Sequence, residues 1–170
     1  MLDIATIDQH PYVFYDFRPS RSRDGPEKIL ADYKGYLQTD GYAVYTSLVR
    51  DSQGRLRFVA CFAHGRRGLD EASYTTSHPL LHEALAWIQQ LYDVEDRTRD
   101  LSPDERLVIR RRESAPILEG MHRRFLDVRP ELRPTSKLAE AIDYMMNRWE
   151  AFKRFLEDGR IPTGCSGAGA

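Results

Sequence analysis

From Pro79 to Asp158 the apolar residues recur at helical spacing, in blocks cut by prolines, and this pattern limits half the chain to packed helices. Leu81, Leu85, Ile88, Leu91 and Tyr92 fall on one face of a helix from Pro79 to about Arg99. Ser102-Pro103-Asp104-Glu105 is a helix start: Ser102 caps, Pro103 takes the first position, and Glu105 closes a capping box. The helix it opens runs towards Leu126 with Pro116 inside it, which removes the bond to Arg112 and costs ~3 kcal/mol unless a kink absorbs it. Pro130 and Pro134 break the chain. A last helix spans Ser136 to Asp158, with Leu138, Ile142, Met145, Trp149, Phe152 and Leu156 on one stripe. Gly159 caps it and Pro162 stops it.

The first half has a different period. Pro11 to Phe17 is aromatic and β-branched, as a half-buried strand is. Gly25-Pro26 opens a helix to Tyr33, with Gly35 as its left-handed end. Tyr36 to Thr39 is a short strand ending at Asp40, Tyr42 to Leu48 a short helix, and Ser52-Gln53-Gly54 a turn. Leu56 to Ala63 is mostly apolar after Arg57 and reads as a central strand. The expected organisation is α/β, with residues 1–78 a sheet-bearing core, 79–160 a helical region and 161–170 a disordered Gly/Ala/Ser tail.

Charge narrows the function. With 25 basic and 26 acidic residues the net charge is -1, which argues against a protein that coats nucleic acid by neutralising phosphates. A DNA enzyme with a local basic face stays open. Cys61 and Cys165 are the two cysteines, and the second lies in the tail, so no disulfide framework is expected. No apolar run reaches the ~18 residues of a membrane span. Asp3 and Asp8 stand where a signal peptide would be positive, and a cytoplasmic location with no membrane partner follows as the expectation.

Two stretches could carry chemistry. Asp40 stands where a strand ends and a turn begins, a position that exposes a carboxylate while the sheet fixes it; Asp-Gly is equally a common turn pair. Cys61 and His64, two residues apart, form half of a four-ligand zinc set, and no second Cys/His pair completes it. A buried thiol beside a hydrogen-bonded histidine is the alternative. Arg66 and Arg67 follow and suit phosphate, as do Arg18, Arg21 and Arg23 in the loop before the first helix. The basic clusters at Arg110–Arg112, Arg123–Arg124 and Arg148–Arg154 are interleaved with acids and read as solvated faces. His78, His82 and His122 receive no role.

Phe14-Tyr15-Asp16-Phe17-Arg18-Pro19-Ser20-Arg21, Gly35-Tyr36-Leu37-Gln38-Thr39-Asp40-Gly41-Tyr42, Cys61-Phe62-Ala63-His64-Gly65-Arg66-Arg67, Leu101 to Arg106, and Asn147-Arg148-Trp149-Glu150 through Pro162 occur in this order. Together they resemble the insertion-sequence-sixty-six family of bacterial transposases, from about residue 10 to Pro162. The resemblance implies a DDE-type catalytic domain with a partial ribonuclease-H-like sheet, followed by a long helical region. Three carboxylates of such a domain hold two magnesium ions that drive in-line attack on a phosphodiester.

By that resemblance Asp40 is the second carboxylate and a metal ligand, and Cys61 and His64 support the site. Arg18, Arg21, Arg23, Arg66 and Arg67 face DNA at the transposon ends. The family's first Asp stands in an Asp-Glu-Thr context that is not found here. Its Glu follows the stretch resembling Gly159 to Ile161, where this chain reads Thr163-Gly164-Cys165, as a frame shift would produce. The expectation is a transposase fragment, inactive alone and loaded with magnesium only if the site is completed. The alternative is a non-catalytic DNA-binding or oligomerising module, partnering itself or an intact transposase. A metal-dependent hydrolase using Asp40 and His64 is a third option.

Overall fold

The structure is a computed structural model that describes residues 2–4, 12–14, 23–39 and 43–164. The described chain is mixed α/β and mostly helical, and forms two compact units that divide between Cys61 and Phe62.

In the first unit, β1 (Leu2–Ile4) pairs antiparallel with β2 (Tyr12–Phe14). The short helix α1 (Asp24–Ile29) precedes β3 (Gly35–Thr39), and α2 (Ala43–Asp51) crosses over to β4 (Leu56–Ala60), which lies parallel to β3. The crossover is what a parallel pair requires, because no tight turn can join two parallel strands. Leu30, Leu37, Leu48 and Leu56 form a core cluster, one side chain each from the end of α1, β3, α2 and β4. Arg55 donates to the carbonyls of Leu30 and Tyr33, which closes the loop into β3. Gly35 does not end a helix as the sequence suggested. It is the first residue of β3, with φ +150, and an added Cβ would lie 3.1 Å from the Tyr33 hydroxyl. The turn at Ser52–Gly54 forms as expected, with Gln53 and Gly54 at positive φ.

The second unit is helical: α3 (Phe62–Ser73), α4 (Pro79–Arg97), α5 (Pro103–Ile109), α6 (Ala115–Val128), α7 (Lys137–Met146) and α8 (Trp149–Lys153). Here the expectation for Leu56–Ala63 is corrected: the strand stops at Ala60 and Phe62 begins a helix. Phe62, Gly65, Leu69 and Ala72 are buried at helical spacing, a stripe that Gly65 hides from apolar pattern reading. Gly65 and Gly68 let α3 approach α7 and α8, since a Cβ at Gly65 would meet Phe152 at 3.2 Å and one at Gly68 would meet Ala141 at 3.4 Å. Phe62 packs on Phe152 and edge-on against Phe155, with centroids at 4.7 and 5.9 Å.

The prolines act as expected, with sharper detail. Ser102 and Glu105 form the capping box. The single helix anticipated across Pro116 is three pieces: α5, one π turn at Arg110–Ser114, and α6. The Ala115 amide bonds to the Arg110 carbonyl five residues back, so the widened turn absorbs the proline that follows. The anticipated Ser136–Asp158 helix also breaks, at Asn147–Arg148, and ends in a 3-10 turn at Arg154–Leu156. That tighter turn buries Phe155 and leaves Leu156 half-buried. Ile161 and Thr163, expected in a disordered tail, are buried, and residues 165–170 lie outside the described ones. Among the described residues no helix is long and apolar enough to cross a membrane.

Candidate functional site

The β3–β4 register runs from Gly35↔Leu56 to Thr39↔Ala60, so both strands reach their carboxyl ends together. Ligands of open α/β sheets gather beyond that edge. Asp40 is the next residue after Thr39 and Cys61 the next after Ala60. Asp40 lies outside the described residues, as do Arg18 and Arg21. Thr39 is buried, and so is Cys61, whose thiol is in no disulfide.

His64 falls in the first turn of α3, half-buried, with an Nδ1 that is shielded from solvent and bonded to no described group. An unsatisfied buried ring nitrogen costs free energy of order 1–3 kcal/mol, so it is a place where a partner is wanted. Arg66 is 3.5 Å from Asp70 and reaches Gln89 at 3.4 Å, two long contacts that leave it adaptable. Arg67 is exposed on the same helix. Among the described residues no three His, Cys, Asp or Glu side chains converge as metal ligands. A magnesium pair needs several oxygen donors, so Asp40 with Cys61 and His64 does not make a fitting set.

Arg23 is better explained as a tie than as an open phosphate contact. Its guanidinium bonds Asp51 at 2.6 Å, Glu27 at 3.2 Å and Ser47 at 3.4 Å, linking α1 to α2. The bond to Arg23 holds the Asp51 carboxyl below its ordinary value. His78, given no role from the sequence, caps α4: its Nδ1 accepts from the Leu80 amide at 3.2 Å.

Arg110 departs from the solvated face read for its cluster, whereas Arg111 and Arg112 are exposed as expected. Arg110 is 1% exposed, forks onto both oxygens of Glu95 at 2.8 and 2.6 Å, and donates to the carbonyls of Phe155 and Asp158. The only signal in the sequence was Glu95 fifteen residues upstream, too far along the chain to suggest a pair.

These features define a mixed α/β protein in which a small parallel sheet feeds a helical unit, with an acid at the strand end. A sequence profile described as Transposase IS66 family matches residues 3–164, and the chain belongs to that family. It is 34% identical over 155 residues to the uncharacterized protein y4jD of Sinorhizobium fredii (strain NBRC 101917 / NGR234), covering 89% of this chain and 30% of the relative. The uncharacterized protein y4hP of the same strain is 32% identical over 165 residues, with the same coverage. The chain thus spans 30% of the length of these curated relatives. No solved structure matches.

Proposed function

We propose that this chain is part of a DDE transposase catalytic domain with a ribonuclease-H-like core, in which Asp40 is one of three metal-binding carboxylates. The observation that carries this reading is the position of Asp40, directly after Thr39 at the carboxyl end of a parallel pair, in a chain of the transposase family. When bound, magnesium would supply Lewis-acid stabilisation of the phosphodiester oxygens. One carboxylate does not fit two metals, so the chain by itself transfers no strand.

The rest of the set has supporting work. Cys61, directly after β4, and His64, in the first turn of α3, keep the site-supporting role that the family resemblance gives them. Arg67, with Arg18 and Arg21, meets the backbone phosphates of the transposon ends, and Arg66 joins them by giving up its long contacts to Asp70 and Gln89.

A magnesium-dependent nicking assay on DNA carrying the element's ends tests the proposal. The chain alone is expected to give no nicking. Robust nicking abolished by Asp40→Asn would overturn the inactive-part claim. Binding that weakens steeply with salt and with Arg67→Ala, without nicking, is the outcome expected of a DNA-contacting part.

A further inference from the structure

We infer that Arg110, oriented by Glu95, is a positioning residue that fixes the path by which the chain leaves the helical unit, residues 155–163. This rests on the proposed function, in which the family's remaining acid follows that segment.

Arginines on and just after α5 take four backbone carbonyls of one distant stretch. Arg110 Nη1 donates to Phe155 at 3.0 Å and Asp158 at 3.1 Å, Arg111 Nε to Leu156 at 3.3 Å, and Arg106 Nη1 to Gly159 at 3.1 Å. Phe155 and Leu156 belong to the 3-10 turn after α8, where the final oxygens have no partner within the helix, and Asp158 and Gly159 lie just beyond it, the Asp158 carbonyl also accepting from the Ile161 amide at 3.1 Å. Glycine caps answer that need locally in many helices. Here side chains some 50 residues away in sequence do so, at separations of 45 to 53.

The donors are themselves held. Glu95 receives two Arg110 bonds, and the Arg110 guanidinium lies 5.3 Å from the centroid of the Phe155 ring. Arg106 also bonds the carbonyls of Thr98, Arg99 and Leu101, which locks its fork. A buried ion pair is seldom the most stable filling for its volume, but a planar fork with five donors dictates direction.

The stretch is pressed close and held at its far end too. A Cβ at Gly159 would fall 1.8 Å from the Pro103 carbonyl oxygen, so only glycine fits this approach. The Thr163 carbonyl accepts from the Phe62 amide at 3.0 Å, which ties the stretch to the first residue of α3. Whatever follows Gly164 therefore starts from a backbone fixed at both ends.

Amide hydrogen exchange on the full chain, without DNA or metal, tests the assignment through Arg110→Met, Arg110→Lys and Arg106→Gln. Arg110→Met is expected to speed exchange at Arg160, Ile161 and Phe62 by about tenfold or more, with α4 and α7 amides changed less than about twofold. Arg110→Lys restores part of the protection. If Arg110→Met unfolds the chain, Arg106→Gln, which releases the Gly159 carbonyl, is expected to give the same local pattern. Uniform acceleration across residues 62–164 in every folded variant, or none at 160–163, overturns the assignment. Because the readout uses no DNA, a failed nicking or binding assay leaves it standing, and its failure leaves those assays unaffected.

Discussion

The sheet-bearing unit and the helical unit solve the same problem with very different resources. Among its described residues the first buries four leucines with Val59, Ala60 and Cys61, and Tyr33, Val44, Tyr45 and Val49 pack against the leucine cluster. The second buries Phe62, Phe125, Phe152 and Phe155 together with aliphatic residues from every helix but α5. Both use arginine to hold carbonyls where the backbone leaves regular structure: Arg55 before β3, Arg106 and Arg110 after α8. The candidate acid belongs to the unit with the small core, and the helical unit supplies the mass of packing.

A core deletion breaks this comparison most sharply. Leu37→Ala removes one of four buried leucines and is expected to cost about 2–5 kcal/mol, enough to open the small unit. Exchange protection should vanish across β3 and β4 while the helical circular-dichroism signal largely persists. Simultaneous loss of α4 protection would show that the units do not unfold separately.

Gly159→Ala should do the reverse at a smaller scale. The clash with Pro103 costs about 1–3 kcal/mol, read as a lower denaturation midpoint of the helical transition with β3–β4 protection intact.

Acid gives the smallest and most evenly shared effect. Arg124 lowers Glu83, Arg129 lowers Asp143 and Arg160 lowers Asp158 in the helical unit, and Arg23 lowers Asp51 in the other. A depressed folded-state value means that the stabilisation is complete above the ordinary 3.8 of Asp and 4.5 of Glu. It is lost as pH falls through the lowered values. Melting temperatures of both units should therefore hold above pH ~5 and decline modestly below pH ~4, and added salt should shrink the dependence because these pairs are half-exposed.

Much of the helical unit was legible because capping and periodicity are local. The Ser102–Glu105 box and the start of α4 at Pro79 need only neighbouring residues. Other features escaped for stated reasons. Glycine carries no hydropathy signal, so α3 was missed and its first residues, Phe62 and Ala63, were read as the end of a strand. A basic run looks solvated until a partner far along the chain turns one member inwards, as Glu95 does to Arg110. For the candidate site, Cys61 and His64 were singled out by type and spacing. Their actual setting, one after a strand and one in the next helix, was not.

The sequence by itself determined the helical composition of residues 79–158, the turn at Ser52–Gly54, and, through ordered short stretches, membership of the transposase family. These depend on local torsional preference, capping and residue identity. Tertiary structure alone decided that β3 and β4 run parallel with Thr39 opposite Ala60, and that Phe62 turns the chain into α3. It also decided that buried Arg110 fastens the exit of the helical unit. Each of these rests on contacts between residues distant in sequence, whose loop-closure entropy is offset only when the whole unit packs.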